Sequence, residues 1–151
     1  MKYNRVIFVA RSGTCREPMA EGIFEDCAIN REIEVFARGL VVSFPEPMNQ
    51  KAEAILISNG INLPDFTSSE LKDKDITEDT LILTMERNQK EKVLTRFVNV
   101  SEEQVHVLTE YVGDELEILD PIGGDLTFYG LCYETLRKSI KKLVKKLNEE
   151  E

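Results

Sequence analysis

Val6-Ile7-Phe8-Val9-Ala10-Arg11-Ser12-Gly13-Thr14-Cys15-Arg16-Glu17-Pro18-Met19-Ala20-Glu21 is the stretch that decides the fold. Arg5 to Val9 is a short run, apolar after a polar start and rich in β-branched and aromatic residues, the pattern of a strand buried on both faces. Pro18 is tolerated in a first helical turn, and Met19, Ile23, Phe24 and Cys27 recur at helical spacing. Strand, turn-rich loop, arginine and helix, in that order, make an oxyanion cradle. The strand aims the loop, small residues let consecutive backbone N–H groups converge, and the helix adds the positive end of its dipole. Arg16 supplies a planar fork matched to a phosphate. The candidate phosphate-binding residues are therefore Arg11, Ser12, Gly13, Thr14, Cys15 and Arg16.

Outward from this segment the alternation continues. Ile33 to Ala37 predicts a second strand, Arg38 through Pro47 a connection, and about Asn49 to Asn59 a helix closed by Gly60. Leu81 to Thr84 predicts a third buried strand, about Glu86 to Arg96 a charged helix, and Val105 to Leu108 a weaker fourth strand. After Asp120-Pro121-Ile122-Gly123-Gly124, the residues Leu126, Tyr129, Leu136, Ile140, Leu143, Val144 and Leu147 mark a long terminal helix with lysines near its end. Asn148 to Glu151 read as frayed. The expected fold is α/β: one doubly wound domain over 1–151, with a four-stranded parallel sheet and helices on both faces. Ligands of such sheets sit beyond the carboxyl ends of the strands. Ala10 to Arg16, the residues after Thr84 and the loop around Asp120 all fall there.

At 151 residues the chain can bury roughly 70% of the surface its unfolded form exposes. No segment has the length of a membrane span or the layout of a secretory signal, so the expected location is cytoplasmic. A net charge of −9 argues against nucleic acid, which requires a basic face. An anion must be held locally, by Arg11, Arg16 and backbone donors, against the global field. Cys15, Cys27 and Cys132 have neither zinc-ligand spacing nor the even count of a disulfide framework, and read as reduced thiols. His106 is the only histidine, which leaves no histidine-based triad, and it reads as a loop or strand-end residue. No metal or cofactor is expected.

Val9-Ala10 through Met19-Ala20-Glu21 resembles the signature loop and first helix of the bacterial low-molecular-weight protein tyrosine phosphatases, where a cysteine is followed by five residues and an arginine. Leu81-Ile82-Leu83-Thr84-Met85 resembles that family's third strand and its exit. Asp120-Pro121, with Gly123-Gly124 and Tyr129, resembles its general-acid loop and final helix. The resemblance covers nearly the whole chain. It implies hydrolysis of protein phosphotyrosine, a phosphomonoester, through a cysteinyl-phosphate intermediate. The thiolate attacks phosphorus, while an aspartic acid protonates the leaving oxygen and later activates water. Loop amides and the arginine stabilise the equatorial oxygens. Arg16 maps onto that arginine, Asp120 onto that acid, and Ala10 onto the nucleophile. The implied partners are a phosphorylated protein or peptide and inorganic phosphate or sulfate, with no nucleic acid and no membrane.

A methyl group cannot attack phosphorus, so the chain is expected to be catalytically silent. Two origins are open. An active enzyme whose cysteine was exchanged for alanine, as a ligand trap, is favoured by the retention of Arg16 and Asp120. A natural pseudophosphatase that binds phosphoprotein or anion without turnover suits the atypical Arg11, Gly13 and Glu17. Some bacterial members act on phosphoarginine, and Arg11 and Ile122, the latter in place of an aromatic beside the acid, leave both substrates open. Thiol-dependent arsenate reduction needs a nucleophile and a nearby cysteine pair, which Cys27 and Cys132 do not form. Cys15 matches the family's second loop cysteine, and equally reads as a small residue pointing into the loop. Gly13 stands where asparagine is common, so a side-chain brace is expected to be missing. Glu17 replaces a serine or threonine; it either caps the helix close to the anion or points to solvent as an ordinary first-turn acid. Asp120 before Pro121 also reads as a turn former. Leu126, Phe128, Tyr129 and Tyr133 read as core or groove wall.

Overall fold

The computed structural model describes residues 2–28 and 32–149. Strands β1 (Arg5–Ala10), β2 (Glu34–Gly39), β3 (Thr80–Thr84) and β4 (Val105–Val107) form one parallel sheet in the order β2-β1-β3-β4. Between them run α1 (Arg16–Cys27), α2 (Gln50–Ser58) and α3 (Arg87–Arg96); α4 (Leu108–Val112) and α5 (Leu126–Glu149) follow β4 and close the chain. The chain leaves β1 for β2 on one side and returns to β3 on the other. That reversal opens a crevice at the carboxyl ends of β1 and β3, which is where the 10–16 loop stands.

Both faces of β1 are apolar because both are covered. Val6, Phe8 and Ala10 join the larger core with Met19 and Ile23 of α1, Leu56 of α2, and Leu136 and Ile140 of α5. Ile7 and Val9 face the smaller core with Ile82, Val93 of α3 and Phe97. This double burial is the physical origin of the unbroken apolar run. At α2 the Asn49 side chain accepts the N–H groups of Lys51 (2.9 Å) and Ala52 (3.1 Å), and Gly60 beyond the other end takes a left-handed φ of 76°.

Several expected boundaries move. Strand β2 runs on to Gly39, because Val9 and Ala10 provide ladder partners for Arg38 and Gly39, so those two residues do not belong to the connection. Leu108 is not in the fourth strand: β4 pairs with β3 over three residues only, and Leu108 opens α4. A five-residue helix, like the single 3₁₀ turns at Asp73–Asp75 and Glu102–Gln104, is too short to leave a periodic signature. The buried stripe of α5 begins at Tyr129. Leu126, in the first turn and at the edge of that stripe, is 52% exposed. Asn148 and Glu149 belong to α5, while Glu150 and Glu151 lie outside the described residues.

Candidate active site

The loop begins where β1 ends and is bent by glycine. Gly13 has φ 78°, and a Cβ there would lie 3.3 Å from both the Gly39 nitrogen and the Ser68 Cβ. Gly39 answers it from β2: a Cβ on Gly39 would come within 2.6 Å of the Gly13 nitrogen. Only backbone fits between the two. The brace expected to be missing at Gly13 comes from elsewhere. Leu40 N–H donates to the carbonyls of Ala10 (3.0 Å) and Arg11 (2.9 Å), Val41 N–H to that of Arg11 (2.8 Å), and Asn49 N–H to that of Thr14 (2.8 Å). Within the loop the Ser12 and Thr14 hydroxyls meet at 3.0 Å.

Arg16 opens α1 and is only 2% exposed, which rules out a surface ion pair. Its Nη1 donates to Glu86 Oε2 at 2.7 Å and to the Ile118 carbonyl at 2.6 Å; its Nη2 lies 3.8 Å from Asp120 Oδ2. The guanidinium thus ties the first helix to the exit of β3 and to the loop before α5. Glu86, read from sequence only as a helix start, is a site residue that the motif did not contain. The available signal was its place, an acid directly after the carboxyl end of a strand beside β1. Asp120 is a turn former, as one of its two readings has it, and its carboxyl also lies beside Arg16. Its side chain is exposed beside Arg16, and its Oδ1 accepts the Ile122 N–H at 3.0 Å, fixing the turn.

Ala10, 1% exposed, borders a cavity of about 260 Å³ together with Ser12, Cys15, Arg16 and Glu17. Exposed Arg11 and the half-exposed aliphatic side chains of Val41 and Ile122 form its mouth with Asp120. A neighbouring cavity of about 480 Å³ shares Arg11, Arg16, Val41 and Asp120, and adds Asn88 and Lys92 from α3. Val41, Asn88 and Lys92 carried no sequence signal; they arrive through chain crossings. Tyr129 and Tyr133 are core residues, whereas Phe128 is exposed on α5. His106 lies away on β4, its ring 4.7 Å from that of Tyr111.

Glu17 does not point to solvent. It is 1% exposed, and its Oε2 accepts the Gly13 N–H at 2.6 Å. The nearby amides of Cys15 and of Glu17 itself favour the charged carboxyl. The bond braces the loop and does not cap α1, and a buried N–H left without an acceptor costs about 1–3 kcal/mol. Burial raises the carboxyl's affinity for a proton above the ordinary glutamate, an effect opposed by those amides and by Arg16. The thiols respond to burial as well. Cys15 is pushed far up, and Cys132 on α5 is pushed up to about 12 with Arg16, Asp120 and Glu17 in electrostatic reach. The last helix therefore brings a second thiol to the loop. Cys27, among Arg137, Asp26 and Lys141, is not brought there, so Cys27 and Cys132 do not pair beside the loop. Neutral buried thiols are poor nucleophiles.

Comparison with known proteins gives concordant findings. A family model described as low molecular weight phosphotyrosine protein phosphatase matches residues 5–151. The low molecular weight protein-tyrosine-phosphatase PtpB of Staphylococcus haemolyticus is 31% identical over 140 residues, covering 92% of this chain and 96% of its own length. The protein-arginine-phosphatase of Bacillus subtilis is 30% identical over 148 residues, covering 96% and 97%. Among solved structures, the YwlE arginine phosphatase from Geobacillus stearothermophilus superposes with a TM-score of 0.89 at 29% identity, over 97% of this chain and 94% of that one.

Proposed function

Because the chain belongs to the low molecular weight phosphotyrosine protein phosphatase family, we propose that it holds a phosphoryl oxyanion in the 10–16 loop without hydrolysing it. The ligand is a phosphorylated protein or peptide, with inorganic phosphate or sulfate as its minimal form. One observation carries this reading: the methyl of Ala10 stands at the end of β1 beside an intact arginine and an intact aspartate. Arg16 supplies the bidentate fork, and the loop amides supply the remaining donors. Asp120 stands where a general acid serves a leaving oxygen, but no covalent intermediate can form on a methyl group.

The relatives named tyrosine and arginine phosphatases are nearly equally similar, so identity does not choose the phosphoryl donor. The mouth bears on it. Val41 and Ile122 offer aliphatic surface and no ring for stacking, which suits the methylene stem of phosphoarginine at least as well as a phenol. Glu17 bears on the origin of Ala10. An exchange made in an active enzyme leaves unexplained a carboxyl buried among the loop amides, where it would oppose a thiolate; a natural pseudophosphatase accounts for both residues. The natural codon at position 10 distinguishes the two. No helix among the described residues is long and apolar enough to cross a membrane, and the cytoplasm is the proposed location.

The test is calorimetric titration of phosphotyrosine and phosphoarginine peptides into this chain and into Arg16→Ala, with released phosphate measured in parallel. Binding that depends on Arg16, with no release, is expected. Release from this chain that Asp120→Ala abolishes would overturn the reading.

A further inference from the structure

One amide donor of the loop, that of Gly13, already has an acceptor, and it is part of the chain. Glu17, in the first turn of α1, folds back so that its carboxyl accepts the Gly13 N–H at 2.6 Å, with the amides of Cys15 and Glu17 nearby. Helix-start acids ordinarily face water; this one is 1% exposed and borders the same cavity as the Ala10 methyl. An oxyanion held by the loop requires those same amides and the same guanidinium. Two anionic groups competing for one set of donors cannot both be satisfied.

Resting on the phosphoryl-binding reading above, we propose that Ala10 and Glu17 form one unit in which the Glu17 carboxyl is the built-in ligand of the loop, and phosphate or sulfate binds only in exchange with it or together with a proton. The surrounding charges enforce this. On its own helix Glu17 faces Arg16; Glu86 after β3 and Asp120 before α5 draw on the same guanidinium. The remaining titratable groups in reach are the thiols of Cys15 in the loop and Cys132 on α5, both protonated. One guanidinium thus already answers Glu86 and Asp120, with the Glu17 carboxyl in electrostatic reach, before any ligand arrives. An incoming dianion binds at full strength only after Glu17 leaves or is neutralised, and burial favours the proton.

Sulfate is the probe, because its charge does not change between about pH 5 and pH 8. Titrated calorimetrically into this chain, it is expected to bind more tightly as pH falls and to take up a proton, read from the dependence of the heat on buffer ionisation. Glu17→Ser removes the carboxyl and is expected to bind at least roughly tenfold more tightly than the parent at about pH 8, with the gap closing toward about pH 5. Glu17→Gln keeps the volume and is expected to lose the proton uptake. Equal affinity of parent and Glu17→Ser at every pH, still lost with Arg16→Ala, would overturn the exchange and leave the phosphoryl-binding reading standing. No binding by any of them, even at low pH, would overturn both. The parent's own proton uptake decides the matter if a variant fails to fold.

Discussion

At the scale of single residues the candidate site sets the Ala10 methyl and the Glu17 carboxyl around one cavity with Arg16. Aryl phosphate hydrolysis by this chain is expected to stay at background. If Ala10 alone were responsible, Ala10→Cys would restore turnover fully. With Glu17 in the loop, a carboxylate beside the new thiolate raises its pKa and competes for the donors. The expected order is therefore parent below Ala10→Cys, and Ala10→Cys below Ala10→Cys/Glu17→Ser by about tenfold or more, measured as initial rates. Thiolate absorbance against pH should move down in the double variant. Adding Asp120→Ala to it is expected to lower the rate by about 10²–10⁴, the usual share of a general acid. Arg16 was legible as a candidate ligand from the loop it ends; that Glu86 and the Ile118 carbonyl hold it was not, since neither lies near it in sequence.

Among the elements, the loop depends on what leans against it. Gly39→Ala would drive a Cβ to 2.6 Å from the Gly13 nitrogen and 2.7 Å from the Ser12 carbonyl carbon, both backbone atoms that cannot swing aside. Loss of about 1–3 kcal/mol in urea unfolding is expected, with sulfate affinity falling alongside because the loop is displaced. Asn49→Ala removes the cap of α2 at a cost of about 1 kcal/mol. It leaves the Asn49 N–H bond to Thr14 in place, so sulfate affinity should hold. The helices were legible where length and periodicity agreed, as in α1, α2, α3 and most of α5. Element ends were not, because Arg38 and Gly39 become strand only by pairing with Val9 and Ala10.

Across the whole molecule the buried Glu17 and the partly buried Asp114 titrate with opposite sign. Burial raises the Glu17 pKa above the ordinary 4.5, so its contribution to stability is fully present below that value and is lost as pH rises through the folded pKa. Asp114 is opposite: burial works against its charge, but Lys142 and Ser139 hold its carboxyl below the ordinary 3.8. Its contribution is present above 3.8 and is lost as pH falls through the folded value. Urea midpoints measured across pH should therefore decline on the alkaline side less steeply in Glu17→Gln, and on the acid side less steeply in Asp114→Asn. A parent-like alkaline decline in Glu17→Gln would mean that another group carries it.

By itself the sequence determined the local grammar: a strand apolar on both faces, a small-residue loop, an arginine at a helix start, and strands alternating with helices over the chain. Those features rest on side-chain periodicity and backbone preference, which act over a few residues and so are written in order. It also determined that position 10 carries no nucleophile. What only the tertiary structure decided is where Glu17 points, which acids share Arg16, that Cys132 comes to the loop while Cys27 does not, and that Gly39 must lack a side chain for Gly13 to pass. Each of these joins groups from different elements, or depends on whether neighbouring elements exclude water. A first-turn glutamate reads the same in sequence whether it faces solvent or the loop amides; only the packing of α1 and α5 around the end of β1 closes the solvent side and turns the carboxyl inward.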